Sequence, residues 1–214
     1  MSERDIENMR RWIKNKPDTK SVAKFVANDN IAKLDLCFDI EKLVEAFEAC
    51  LAINQFSGDY RQYGFEVLQL TKRKNQDQIT SNDLSGRYWL RNDQTYIEEP
   101  REELVDESAF SEFNPDYAHT YFKYVHQELS KHFKIGRVRI LFKDIYNCNS
   151  WHRDPEPRLH IPIISNPGSL FIVNHHVTHL PADGSVYFTD TRAYHTGLNG
   201  GESRRVHLVV ALAY

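Results

Sequence analysis

The chain has only three cysteines, Cys37, Cys50 and Cys148, and no two of them form a Cys-x-x-Cys pair. An odd, scattered set excludes a disulfide framework and a zinc-thiolate site. No stretch approaches the roughly 18 consecutive apolar residues of a membrane span. Residues 1–20 are charged and polar where a secretion leader needs an apolar core, so a soluble, cytoplasmic protein is expected. A basic surplus is also lacking: 27 Lys and Arg stand against 30 Asp and Glu, a net charge of -3. That leaves no field to draw in nucleic acid or an anionic membrane, and the short Lys72-Arg73-Lys74 run reads as a solvated turn. There is no internal repeat or low-complexity tract, and no motif fixes an oligomeric state.

What is present suits one globular core. With 214 residues, 41% of them hydrophobic, a single domain over 1–214 is expected, with 1–134 as a helical and mixed supporting region and 135–214 as core strands. The hydrophobic period changes near residue 135. Before it, Asp39 to Asn54 reads as a helix capped by Asp39, stapled by Phe38 onto Leu43, and buried along Leu43, Phe47, Cys50 and Leu51. A second helix is expected from the Asn114-Pro115 cap to about Phe133–Gly136, with Ala118, Phe122, Val125 and Leu129 on one face. Between them, Phe65 to Thr71 and Arg87 to Leu90 read as strands, and Asn92 to Phe113 as a loop over a site. After Gly136 come short strand-like runs: Val138 to Phe142, Leu159 to Ile164, Leu170 to Val173, Ser185 to Thr189 and Val206 to Leu212. Turn sequences such as Asn166-Pro167-Gly168 and Asn199-Gly200-Gly201 separate them. The pattern predicts an α+β chain with an antiparallel sandwich or small barrel packed on helices.

The chemistry lies in the strand-rich half. In Trp151-His152-Arg153-Asp154, the i, i+2 spacing turns a histidine and a carboxylate to one face of an extended chain. His195, on a later strand, completes a set of two histidines and one carboxylate. Such a set suits iron(II), because three protein ligands leave adjacent positions open for a bidentate 2-oxo acid and dioxygen. The far carboxylate of 2-oxoglutarate needs a cation, and Ser203-Arg204-Arg205-Val206-His207-Leu208 offers one. Arg205 and His207 are expected to face the interior, with Val206, Leu208 and Val210 packing outward. Arg158 and His160 share one face of the preceding strand and are expected to line the pocket.

His152-Arg153-Asp154, Arg158-Leu159-His160-Ile161-Pro162-Ile163 and Tyr194-His195-Thr196-Gly197-Leu198-Asn199, leading to Arg205-Val206-His207-Leu208-Val209, together resemble the aspartyl/asparaginyl β-hydroxylase family of 2-oxoglutarate oxygenases. The resemblance runs from about Val138 to Ala213. It implies a double-stranded β-helix (a jelly-roll of the cupin type), with His152, Asp154 and His195 as metal ligands and Arg205, Arg158 and His160 on the cosubstrate. It also implies a dioxygenase that uses Fe(II), 2-oxoglutarate and dioxygen to hydroxylate a C-H bond, releasing succinate. Animal members acting on protein domains have glycine where Asp154 stands, whereas bacterial amino-acid hydroxylases keep the acid. The chain ends at Tyr214, without the C-terminal helical segment of similar free-proline hydroxylases, so both an amino acid and a peptide or protein side chain stay open as substrates.

Blander functions remain in view. A cupin-like hydrolase or isomerase could use zinc or manganese at the same ligands, although Arg205 speaks against it. A catalytically inactive binding module is opposed by retention of all three ligand types. His175, His176 and His179 read as surface, and His119, His126 and His132 as solvated positions of the second helix. Tyr117, Tyr121 and Tyr124 read as helix packing, and Cys148 as an inert thiol.

Overall fold

Alternation along the C-terminal strands decides how the layers stack, because each strand offers one apolar face and one carrying charge. The computed structural model describes residues 2–15, 24–53, 66–76, 79, 80, 83, 88–101 and 106–213. Its helices are α1 (Glu3–Lys14), α2 (Ile40–Ile53) and α3 (Tyr121–Ser130). Its strands are β1 (Ile31–Cys37), β2 (Glu66–Gln69), β3 (Thr71–Lys72), β4 (Tyr88–Arg91), β5 (Glu98–Arg101), β6 (Glu112–Phe113), β7 (Ile135–Lys143), β8 (Asn147–Cys148), β9 (His152–Arg153), β10 (Arg158–Ile164), β11 (Ser169–Val173), β12 (His176–His179), β13 (Ser185–Thr189), β14 (His195–Asn199) and β15 (Arg205–Leu212).

A six-stranded sheet runs in the order β1-β13-β10-β15-β7-β2, and a second runs β12-β11-β14-β9-β4-β5 with β8 also on β14. From β7 onward the chain crosses between the two sheets at each step, apart from the β11–β12 hairpin and the short β8 beside β14. This is a double-stranded β-helix, as the sequence led us to expect. Among the described residues, no helix is long and apolar enough to cross a membrane.

The outer face of the six-stranded sheet carries Val138, Ile140 and Phe142 from β7, Leu159, Ile161 and Ile163 from β10, and Val206, Leu208, Val210 and Leu212 from β15. Helices cover it: Leu43, Ala46, Phe47 and Cys50 of α2 and Phe122, Val125 and Leu129 of α3 belong to the same buried cluster. Because side chains alternate along a strand, burying these residues outward turns Arg137, Arg139 and Lys143, Arg158 and His160, and Arg205 and His207 inward between the sheets.

Local structure departs from expectation in several places. Asp39 caps α2 as expected, its Oδ1 accepting from the backbone N-H of Glu41 (3.0 Å) and Lys42 (3.2 Å), but Ala46 rather than Leu51 completes the buried stripe. Asn114 does act as a cap, accepting from Asp116 N at 3.1 Å, yet what it caps is a 3-10 turn, Pro115–Tyr117; α3 begins only at Tyr121. The tighter turn rotates the buried face, so Tyr117 goes in and Ala118 stays exposed. His126 is half-buried against Phe113 (ring centroids 5.3 Å) rather than solvated, and desolvation lowers its pKa; His119 and His132 are exposed.

The first half also contributes more strand than its hydrophobic period suggests. β1 lies beside β13 at the edge of the six-stranded sheet, β2 pairs with β7, and the β4–β5 hairpin extends the second sheet beside β9. The stretch expected as a loop over a site thus contains β5, a 3-10 turn (Glu107–Ala109) and β6. Arg137 anchors that turn by hydrogen bonding to the Glu107 carboxylate, and Gly136 is required there, since a Cβ would sit 2.7 Å from Glu107 Cβ. Residues 102–105 of that stretch, together with Phe65, Arg87 and Asn54 of the expected strands and helix, lie outside the described residues. Helix α1 was not anticipated; a Ser2–Asp5 capping box starts it, and it buries none of its residues.

Candidate metal centre

His152 and His195 are paired directly across the β9–β14 ladder, and their ring centroids lie 4.2 Å apart. The Nδ1-H of His152 donates to Ser150 O (2.7 Å) and that of His195 to Ala193 O (3.1 Å). A carbonyl only accepts, so Nδ1 carries the proton in each ring and Nε2 presents a lone pair. Asp154 follows β9, held by its backbone N-H donating to Thr191 O (2.7 Å), and its Oδ2 lies 3.5 Å from His195 Nε2. One ligand atom from each of the three residues lies within 4.8 Å of the others.

The chemistry of this cluster fits a divalent cation. Asp154 is 1% exposed, and among the described residues neither of its carboxylate oxygens accepts a hydrogen bond. Arg158 Nη2 approaches Oδ1 at 2.9 Å and balances charge, but not in hydrogen-bonding geometry. Burial lowers the pKa of His152, and burial followed by the charge of His152 holds His195 well below the ordinary value. Imidazoles held neutral are what a metal requires of histidine ligands, and the backbone bonds to Nδ1 are the outer contacts that orient such ligands.

Charged and polar groups continue along the interior. Arg158 contacts Glu156 Oε1 (3.1 Å) as well as Asp154, and its Nε has no hydrogen-bond partner. Burial pushes Glu156 up to about 7. Beyond lie His160 and His207, with Nδ1 atoms 3.4 Å apart, and Arg205, whose Nη2 donates to His207 Nδ1 (3.0 Å). Burial holds both histidines well below their ordinary value. Arg205 lies against the β14 backbone: a Cβ on Gly197 would be 3.6 Å from its Nη2, so the guanidinium sits two residues along β14 from His195. Its Nε has no partner, and among the described residues no carboxylate pairs with it. Burial alone lowers its pKa to about 10.

The fold therefore brings His152, Asp154 and His195 together, and places Arg158, His160 and Arg205 in the same interior. Sequence reasoning passed over Glu156, although Asp154-x-Glu156-x-Arg158 repeats the strand period and carries the signal. It also passed over Glu98. That residue receives a bidentate bond from Arg153 (2.6 Å from both Nε and Nη2) and a bond from Tyr194 OH (2.5 Å), while Arg153 stacks over Trp89 (4.2 Å to the centroid). Arg153 lies between two of the cluster residues and Tyr194 precedes the third, so one carboxylate from β5 ties both cluster-bearing strands together. These bonds hold Glu98 down at about 2.

No protein-family model matches the chain, and no curated sequence matches it. Solved structures do. An oxidoreductase of the 2OG-Fe(II) oxygenase family from Burkholderia pseudomallei superimposes with a TM-score of 0.52 at 15% identity, covering 91% of this chain and 95% of that one. A viral collagen prolyl hydroxylase from Paramecium bursaria Chlorella virus-1, solved with 2OG, gives a TM-score of 0.49 at 10% identity over 86% and 96% of the two chains. A Pseudomonas putida prolyl-4-hydroxylase gives 0.46 at 8% identity over 86% and 92%. At 15% identity the likeness to the Burkholderia protein establishes a shared fold.

Proposed function

We propose that this chain is a single-domain Fe(II)- and 2-oxoglutarate-dependent dioxygenase of the aspartyl/asparaginyl β-hydroxylase type, acting on a C-H bond of an amino acid or of a peptide or protein side chain. The observation that carries the reading is Arg205, a buried guanidinium with no carboxylate partner among the described residues, in the same interior as the His152-Asp154-His195 cluster. An unpaired buried charge is costly unless a ligand answers it. A carboxylate does so through two parallel charge-assisted bonds.

In this reading His152, Asp154 and His195 hold the iron. The bound iron supplies activation of dioxygen, coupled to conversion of 2-oxoglutarate to succinate and carbon dioxide. Arg205 would hold the far carboxylate of the cosubstrate. Arg158 and His160 would border the cosubstrate, and the Arg158 guanidinium stands 2.9 Å from Asp154 Oδ1. The Glu98-Arg153-Tyr194 contacts hold the ligand-bearing strands in place. The fold shared with the Burkholderia oxygenase is consistent with this assignment.

The test is succinate release by purified protein supplied with Fe(II), 2-oxoglutarate and dioxygen, first without a prime substrate and then with amino acids and peptides. Oxygen-dependent succinate that disappears in His195→Ala supports the proposal. Metal binding without succinate under any of these conditions contradicts it and favours a non-redox metal enzyme of the same fold.

A further inference from the structure

A second buried cation stands next to Arg205. Lys143, the last residue of β7, is the direct ladder partner of Arg205, the first residue of β15, so both side chains leave the sheet on its inner face. Lys143 is 2% exposed and Arg205 5%. Arg137 and Arg158, which face the same interior, are paired with Glu107 and with Asp154 and Glu156. Among the described residues neither Lys143 nor Arg205 is paired with a carboxylate. Two like charges buried side by side repel and have both lost their hydration, an arrangement that is sustained when an anion binds between them.

The surroundings of Lys143 belong to the same place. Its Nζ donates to the side-chain oxygens of Asn147 (3.1 Å) and Asn149 (2.5 Å). An ammonium has three N-H groups, so these two neutral acceptors leave one donor and the full charge. Asn149 is in turn stitched to β14: its backbone N-H donates to Gly197 O (3.1 Å) and its carbonyl accepts from Thr196 Oγ1 (2.7 Å). Gly197 is the residue against which the Arg205 guanidinium lies. The two asparagines therefore hold the ammonium beside the strand that Arg205 covers.

We infer that Lys143 and Arg205 together form the anion subsite, and that this pair selects a 2-oxo acid carrying a second carboxylate over one that lacks it. The inference rests on the proposed oxygenase reading, in which Arg205 anchors the cosubstrate; the role of Lys143 is the new element. The alternative is that Lys143 merely ties residues 147–149 to the barrel.

Full-length Mn(II)-loaded protein is titrated with 2-oxoglutarate and with pyruvate, which keeps the 2-oxo acid and lacks the far carboxylate. Wild type, Lys143→Met, Lys143→Arg and Arg205→Met are compared, with melting curves as a check of folding. The expected result is that Lys143→Met weakens 2-oxoglutarate binding about tenfold or more, the scale of one charge-assisted contact, with pyruvate affinity unchanged. Lys143→Arg recovers part of the loss. Retained 2-oxoglutarate affinity in Lys143→Met, alongside its loss in Arg205→Met, overturns the role of Lys143 and leaves the oxygenase reading intact. Equal loss of both ligands in Lys143→Met assigns the lysine to the scaffold and also overturns the inference. No 2-oxoglutarate binding by wild type overturns the inference and the oxygenase reading together. Should Lys143→Met fail to fold, Lys143→Gln, neutral but still a donor to the asparagines, is judged by the same outcomes.

Discussion

His152 and His195 face one another across the β9–β14 ladder with their Nδ1 atoms tied to backbone carbonyls, so sheet register, not loop geometry, brings the two imidazoles together. A one-residue slip would send either ring to the other face of the sheet.

Metal binding should therefore depend steeply on these side chains. Mn(II) or Co(II) at about 100 times its Kd should stabilise wild type by about 2.7 kcal/mol. In His195→Ala and Asp154→Ala that increment should vanish, with affinity falling by more than the roughly 10–100-fold that changes behind the ligands cost. Calorimetric titration and melting curves with and without metal check this.

Glu98 offers a test of orientation without touching the metal. Tyr194→Phe and Glu98→Gln each loosen the tie between the two ligand strands, and each should weaken metal affinity by roughly 10–100-fold. The metal-free melting temperature should change little, because Glu98 and Arg153 are partly exposed and such pairs contribute modestly to stability. An unchanged metal affinity in both variants would remove Glu98 from the account of the site.

Burial, and after it the charge of Arg205, pushes the Lys143 ammonium down to about 7. In the unfolded chain it titrates near about 10.4, so between about pH 7 and 10 the unfolded state binds more protons and this residue's contribution to stability rises with pH. Below about pH 7 its charge opposes folding in full. Wild type should accordingly gain in melting temperature relative to Lys143→Met as pH increases across that window. The titratable groups facing it are Arg205, Cys148 and His152, so the comparison is made in a Cys148→Ser background. Binding of 2-oxoglutarate at pH 8 should take up protons, read as a dependence of the binding enthalpy on buffer ionisation.

Much of the fold was legible because the C-terminal strands alternate cleanly: Val206, Leu208 and Val210 against Arg205 and His207 assign both faces of β15 from the sequence alone. The metal cluster was legible for the same reason, as His152 and Asp154 stand one strand period apart. The N-terminal strands were not. β1 is an edge strand whose Leu34 and Leu36 are only partly buried, and its partner β13 lies far along the chain, so local pattern carries little of its signal. Glu98 and Lys143 were invisible for a related reason: a lone acid or base in a strand gains its meaning from a partner that only the fold supplies. The start of the second helix was misplaced because the Asn114-Pro115 cap opens a separate 3-10 turn, Pro115–Tyr117, ahead of the helix.

The helical cover of the six-stranded sheet can be tested by truncation. Leu43 on α2 is fully buried in the cluster formed with β7, β10 and β15. Leu43→Ala should cost about 2–5 kcal/mol in chemical denaturation, the range for leaving a cavity in a packed core. A cost well below that would mean α2 rests only loosely on the sheet.

The most direct test of the central claim is an anaerobic titration of the purified protein with Fe(II) and 2-oxoglutarate, following the weak visible charge-transfer band of the chelate. The account predicts a band in wild type that is lost in His152→Ala and needs far more 2-oxoglutarate in Arg205→Ala. Iron-loaded wild type with no band, or a band indifferent to both substitutions, would contradict it.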